Sequence, residues 1–137
     1  MSGPRWGRAL ITSRRNLMSK FIFLFRGGGI TVQPPPPPAE LGAHLAKWTQ
    51  WVGALISEGK ADPGPPPLDT GGKTLRGSAK SLTDGPFAEA KDLVSGLLVV
   101  SADSLDGAVE LARGCPIFEY GGSVEVRPFM SLPQHSK

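Results

Sequence analysis

Two short apolar runs dominate the hydrophobic pattern of the chain, and both predict buried β-strands. Residues 20–26 are mostly aromatic or aliphatic and stop at a run of glycines, Gly27-Gly28-Gly29, which is typical of a short strand followed by a turn. The stretch Val94–Ala102 contains the unbroken aliphatic run Leu97-Leu98-Val99-Val100. Because such a run offers no polar side chain to solvent, it predicts a strand that is buried on both faces.

Helical spacing indicates two helices. Residues 39–58 form the first, because apolar positions recur there every three or four residues and Pro38 and Gly59 suit its two ends. The apolar stripe of this helix consists of Leu41, Leu45, Trp48, Val52 and Leu55. Ser104 is a good N-cap for a second helix, which Gly114 ends. The predicted buried stripe of the second helix consists of Leu105, Ala108, Val109 and Ala112.

The segments between these elements complete the order of an α+β, ferredoxin-like domain. A run of five prolines, residues 34–38, predicts a stiff spacer, and the proline-rich residues 62–70 predict an irregular connection or a broken edge strand. We also predict a hairpin from residues 73–77 and 80–83, a short helical turn in residues 87–92 and a last strand over residues 123–130. This split β-α-β order places both helices on one face of the sheet. The other face needs a cover, so we expect a homodimer.

The net charge of +3 does not indicate a nucleic-acid-binding surface. A leader, residues 1–17, holds four arginines and no acidic residue, and the rest of the chain has 11 Lys and Arg against 12 Asp and Glu. We therefore expect one folded domain over residues 18–130, followed by a polar tail over residues 131–137, and no direct nucleic-acid binding. We interpret the leader as an extension from an upstream start; its composition also resembles an organellar transit peptide.

Cysteine, histidine and hydropathy patterns exclude several further classes. A single cysteine, Cys115, allows neither an intramolecular disulfide nor a cysteine-based metal cluster, and favours a reducing, cytoplasmic compartment. The apolar runs are far shorter than the ~20 residues of a membrane span. His44 and His135 are the two histidines, so we expect no metal site. The glycines after the first strand are followed by prolines instead of a helix, so we expect neither a phosphate loop nor a bound cofactor.

The most distinctive motif lies in the turn after the predicted hairpin. Residues 83–91 read Thr-Asp-Gly-Pro-Phe-Ala-Glu-Ala-Lys, which resembles the signature of the DGPF branch of the YCII-related superfamily. Other segments similar to that branch are residues 48–55, 58–60, 112–116 and 122–128, and the apolar strand after the motif. The resemblance covers residues 20–130. It implies a dimeric α+β barrel that two ferredoxin-like protomers form together.

The resemblance also implies where chemistry would lie. His44 matches a histidine on the first helix that recurs in the family and has been read, together with an aspartate, as a catalytic pair. In the wider family that aspartate precedes a proline after the second helix, and here Cys115 occupies its place before Pro116. A lone cysteine in such a position is more often a small buried hydrophobe than a nucleophile. Asp84, in the motif turn, is the alternative acid.

Five residues are the candidates for a site. His44 and Asp84 would act as an acid–base pair, in which the carboxylate fixes the tautomer of the imidazole and stabilises the imidazolium. Trp48, Trp51 and Phe87 would line a pocket for a ligand. Structural alternatives stay open: His44 can be a boundary residue packed on a tryptophan, Asp84 a turn residue that bonds its own backbone, and Phe87 a core side chain beneath that turn.

Two functions of different classes follow from these residues. The first is a small enzyme that uses acid–base chemistry on a hydrophobic or cyclic small molecule in a cleft. The resemblance supports this function, since some relatives in the barrel superfamily act on aromatic-ring or lactone intermediates. An enzyme of this kind predicts an apolar pocket with a histidine and a carboxylate within hydrogen-bond reach. The second is a non-catalytic regulatory or interaction module linked to transcription initiation, since the DGPF branch is sometimes linked to sigma factors. It predicts no such pocket and an unaltered function in His44→Ala.

Overall fold

An antiparallel sheet with two helices on one face forms the framework of the protein, seen in a computed structural model that describes residues 18–85 and 89–132. In chain order the elements are β1 (Ser19–Arg26), α1 (Pro38–Ser57), β2 (Lys73–Arg76), β3 (Ser81–Asp84), β4 (Val94–Ala102), α2 (Leu105–Ala112) and β5 (Ser123–Pro128). Short 3₁₀ helices cover Gly29–Thr31, Ala90–Asp92 and Pro116–Tyr120. The main sheet has the strand order β4-β1-β5, and β2 and β3 form a separate hairpin. This is the predicted α+β, ferredoxin-like class.

β1 is the central strand, and its aromatic side chains make the core. It pairs antiparallel with β4 on one side and β5 on the other, so that Phe23 lies opposite both Leu98 and Val126. Because side chains alternate along a strand, Phe21, Phe23 and Phe25 all point to one face. None of the three is more than 5% exposed. The predicted first strand is therefore confirmed.

The opposite face of the sheet is only half-buried. There Leu24 lies opposite Leu97 and Ile22 opposite Val99, and all four side chains have intermediate exposure. The prediction that β4 is buried on both faces is therefore wrong for the single chain, although the strand has the predicted bounds. The physical reason is that both helices contribute to the core on the phenylalanine face, and the described residues supply no second layer.

α1 packs on the sheet through two tryptophans one turn apart. The Trp51 ring stacks on Phe23 with ring centroids 6.3 Å apart, and the Trp48 ring stands at right angles to Phe25 with centroids 4.9 Å apart. Aromatic pairs in these two arrangements add roughly 0.5–1.5 kcal/mol each to the energy of burial. The predicted helix is confirmed within one residue at each end.

The proline-rich connection runs along the free edge of β4. Ala61 forms an isolated bridge with Val100, and the N–H groups of Asp62 and Leu68 donate to backbone carbonyls of β4 at 3.0 and 2.9 Å. Prolines between these contacts have no N–H to donate, so a regular strand does not form. The broken edge strand expected from the sequence is thus confirmed, next to β4 where a ferredoxin-like sheet has its fourth strand.

The β2–β3 hairpin and a short helical turn lie between the proline-rich connection and β4. Lys73 pairs with Asp84, and Arg76 with Ser81, as the sequence predicts for a hairpin. Leu75 and Leu82 face each other across the hairpin, and both are more than 60% exposed. Of the predicted helical turn, the 3₁₀ helix Ala90–Asp92 is observed. Residues 86–88 lie outside the described residues.

α2 begins at the predicted cap. The Ser104 hydroxyl accepts the Gly107 N–H at 3.0 Å, and Ala108 and Ala112 carry the contact with the core. Leu105, expected in the buried stripe, is 45% exposed, because it stands at the first helical position, before the turn that faces the sheet. β5 ends at Pro128 instead of residue 130. The leader, residues 1–17, and residues 133–137 of the predicted tail lie outside the described residues.

The packing can be tested at two glycines, where replacement by alanine should have opposite effects on stability. A Cβ on Gly122 would lie 2.5 Å from the buried Ile117 side chain and 2.8 Å from the Arg26 carbonyl oxygen, so we expect Gly122→Ala to destabilise the fold by about 1–3 kcal/mol. A Cβ on Gly42 in α1 would have no atom within 4 Å apart from its chain neighbours and the backbone of its own helix. We expect Gly42→Ala to stabilise the fold by roughly 0.5–1 kcal/mol. Urea unfolding measures both, and a change of the same sign in the two variants would contradict this packing.

Candidate functional site

A largely apolar cavity of about 490 Å³ lies between α1 and the β4 side of the sheet. Its lining comes from α1, the glycine turn after β1, the connection after α1, β4 and Ile117. The apolar side chains include Phe25, Leu45, Trp48, Val52, Ile56 and Leu98. Among the described residues, the polar side chains in the lining are His44, Thr49 and Ser95, and none is acidic or a lysine or arginine. Such a cavity has the size and character of a small-molecule site.

The glycine turn after β1 lets the histidine of α1 lie against the backbone. Gly27 and Gly28 have φ values of 70° and 96°, a left-handed region that glycine adopts readily. A Cβ on the next residue, Gly29, would lie 3.2 Å from His44 Cδ2 and 3.3 Å from Tyr120 Cδ2. Gly29 therefore gives the imidazole a close-fitting backbone wall.

His44 is held by hydrogen bonds at both ring nitrogens. It is 3% exposed; Trp48 Nε1–H donates to His44 Nε2 at 3.0 Å, and the Nδ1 atom lies 2.7 Å from Glu119 Oε1. An indole N–H can only donate, so Nε2 must be the acceptor. The proton of the neutral imidazole is therefore on Nδ1, which donates it to the carboxylate. The Tyr120 ring packs at right angles to the imidazole, with centroids 4.6 Å apart.

Glu119 is the carboxylate of this site. It lies in the 3₁₀ helix after α2, and its second oxygen accepts a hydrogen bond from Lys47. The hydrogen bond from Lys47, followed by the one from His44, lowers the pKa of Glu119 below its usual value. Glu119 is thus ionised near neutral pH, and it presents a negative charge to the Nδ1–H group of His44.

The structure brings together some of the candidate residues and separates others. His44 and Trp48 line the cavity, whereas Trp51 packs on Phe23 in the core. Asp84 does not meet His44: its carboxylate pairs with Lys73 at the end of the hairpin, and its side chain is 87% exposed. The histidine has Glu119 as its carboxylate partner instead. Phe87 lies outside the described residues.

Cys115 is a buried thiol, as the sequence suggests. It is 4% exposed, and burial raises its pKa to about 12. Since the thiolate is the nucleophilic form, this cysteine is inert near neutral pH. The position before Pro116 therefore carries no charge in this chain.

The carboxylate of the site escaped sequence reasoning because of its distance along the chain. Glu119 is 75 residues from His44, and no helical or strand spacing connects two such positions. A signal was available nonetheless, since Glu119 is four residues after Cys115, in the same short segment that follows α2. Because Cys115 stands where an aspartate was expected, another acidic residue in the same segment was the natural candidate for the partner of His44.

Comparison with known proteins identifies the family of the chain. No curated protein matches it. Among the residues that the structure describes, no helix is long and apolar enough to cross a membrane, and no cluster of three or more His, Cys, Asp or Glu side chains could hold a metal ion. The model of the YCII-related domain matches residues 38–132. This match spans α1 through β5 and includes both His44 and Glu119, and the chain therefore belongs to the YCII-related family.

Proposed function

We propose that this protein is a small acid–base enzyme that acts on a hydrophobic, cyclic small molecule in the cavity beside α1. One observation carries the proposal. A histidine that is 97% buried forms part of the wall of an otherwise apolar cavity, and an ionised carboxylate lies 2.7 Å from its Nδ1 atom. A buried imidazole N–H needs an acceptor in any case, but a carboxylate in that place also fixes the tautomer of a general base and stabilises the imidazolium.

Proton abstraction in this site would use the Nε2 atom of His44. A substrate C–H group next to a carbonyl would take the place of the Trp48 N–H at Nε2, and the proton would move to Nε2 while the bonding electron pair stays on the substrate as an enolate. The imidazolium would then keep its Nδ1–H bond to Glu119, whose negative charge stabilises it. Return of the proton to another atom of the enolate would complete an isomerisation.

Trp48 would assist the same step as a hydrogen-bond donor. Its N–H is bonded to the lone pair of Nε2, and it loses that acceptor when the substrate C–H takes its place. The indole N–H then needs a new acceptor, and the oxygen of the enolate is the atom on which negative charge develops. A donor aimed at developing charge in a largely apolar site is an effective form of transition-state stabilisation.

The proposal includes a homodimer in a reducing, cytoplasmic compartment. A second copy would cover the half-buried sheet face formed by Ile22, Leu24, Leu97 and Val99, which agrees with the dimeric barrel that the resemblance implies. Sedimentation equilibrium decides between one copy and two. Assignment to the DGPF branch likewise rests on the motif in residues 83–91.

Deuterium uptake by a panel of substrates tests the proposed chemistry. The wild-type protein is incubated in deuterium oxide with enolisable cyclic ketones and lactones of one to three rings, and uptake is measured by mass spectrometry. We expect uptake above the buffer rate for at least one compound. A non-catalytic regulatory module would give no uptake for any compound, and that result would contradict the proposal.

A further inference from the structure

Among the described residues, Ser95 is the one buried polar side chain of the cavity wall that the proposed chemistry does not use. It lies near the start of β4, is 9% exposed, and its hydroxyl donates to the carbonyl oxygen of Phe25 at 3.2 Å. Thr49, which is exposed, likewise donates to a backbone carbonyl, that of Leu45, at 3.2 Å. A hydroxyl has a single hydrogen. Both side chains therefore have only oxygen lone pairs left to offer a ligand.

The charge of the cavity lining also bears on which ligands the cavity can bind. Its lining, as far as the structure describes it, contains no lysine, arginine, aspartate or glutamate. A carboxylate or an ammonium group would lose water there without gaining an opposite charge, which is costly. A carboxylate would in addition meet the lone pairs of Ser95. An uncharged ligand avoids both penalties.

The shape of the wall favours a ring. The ring planes of Phe25 and Trp48 stand at right angles to each other, and both side chains line the cavity. The lining also includes several glycines, among them Gly64 and Gly96. Aromatic walls with flat backbone between them suit planar or nearly planar ligands. A volume of about 490 Å³ accommodates a ligand of two or three rings.

We propose that the cavity selects uncharged ring compounds that carry a hydroxyl group, and that Ser95 is the specificity-determining residue, its Oγ atom accepting the hydrogen bond of that hydroxyl. This inference rests on the proposed function, because it concerns the same cavity, and deepens it by naming the class of ligand. It assigns to Ser95 the recognition of the ligand and to His44 the chemistry.

Three matched probes test the selectivity by isothermal titration calorimetry near neutral pH: β-naphthol, its methyl ether and β-naphthoate. We expect the naphthol to bind roughly threefold to tenfold more tightly than the ether, the ratio that one neutral hydrogen bond gives, and the naphthoate to bind at least about tenfold more weakly than the naphthol. Ser95→Ala should remove the preference for the naphthol over the ether and leave the affinity for the ether unchanged.

Several results would overturn the inference: binding of the naphthoate as tightly as the naphthol, equal affinities of the wild type for the naphthol and the ether, no binding of any probe, or a preference that survives in Ser95→Ala. The comparison of the three probes on the wild type stands even when Ser95→Ala does not fold. Selectivity for the naphthol without deuterium uptake by any substrate would reject the proposed enzyme alone. Uptake that depends on His44, without this selectivity, would reject only the role of Ser95.

Discussion

Replacing His44 with glutamine is expected to slow deuterium exchange from a bound substrate by about 10²- to 10⁴-fold, the range typical of a positioned acid–base group. Glutamine is polar and uncharged, and its amide can still meet Trp48 and Glu119, so the fold is retained. It cannot take up a proton near neutral pH. The rate is measured with whichever panel compound the wild type exchanges fastest.

The chain offers a matched control for this variant. His135 is the second histidine of the sequence and has no role in the proposed mechanism, so His135→Gln makes the same chemical change and should exchange at the wild-type rate. Glu119→Gln should be slowed as well, because the imidazolium loses its carboxylate. Asp84→Asn should not be slowed. Exchange by His44→Gln at the wild-type rate would contradict the proposed mechanism.

The second large effect is expected in the core. Phe23 is fully buried in the middle of β1, where its ring contacts both Phe25 and Trp51. Truncation to alanine removes these contacts and leaves a cavity that the flanking strands cannot close, so we expect Phe23→Ala to lower the free energy of unfolding by about 3–5 kcal/mol. That loss is a large share of the roughly 5–15 kcal/mol by which a domain is stable.

Phe129→Ala is the control for this core variant. Phe129 follows β5 and is 51% exposed, so the same truncation there should cost far less. Urea unfolding at one temperature gives both values. A cost for Phe23→Ala that is no larger than the cost for Phe129→Ala would show that β1 is not the centre of the core.

The fold could be predicted from the sequence to the extent that local patterns determine it. Aromatic residues at every second position of β1 predict which face of the strand meets the helices, and the spacing of apolar residues predicts α1. Each of these patterns is local, because it relates residues only two to four positions apart. Burial of the second sheet face could not be predicted correctly. Leu97 and Val99 are as apolar as Leu98 and Val100, and only the side on which the helices pack distinguishes the two pairs.

Of the candidate site, the sequence predicts that His44 and Trp48 are neighbours but does not predict that Glu119 lies beside His44. His44 and Trp48 are four residues apart, so helical geometry alone puts them side by side. Trp51 follows Trp48 by three residues, also at helical spacing, and only the tertiary packing places it against Phe23 instead of in the cavity wall. Asp84 was a candidate because its motif is distinctive, but its exposed side chain pairs with Lys73 and does not meet His44.

In the proposed mechanism His44 carries its proton on Nδ1, bonded to Glu119, and presents Nε2 as the base. Imidazole nitrogen NMR on protein labelled with ¹⁵N-histidine measures this directly, since the chain has two histidines and His135→Gln assigns the remaining signal. We predict a protonated Nδ1 and an unprotonated Nε2 near neutral pH, with a proton resonance on Nδ1 that moves in Glu119→Gln and stays in Asp84→Asn. A proton on Nε2, or a response to Asp84→Asn and none to Glu119→Gln, would contradict the account.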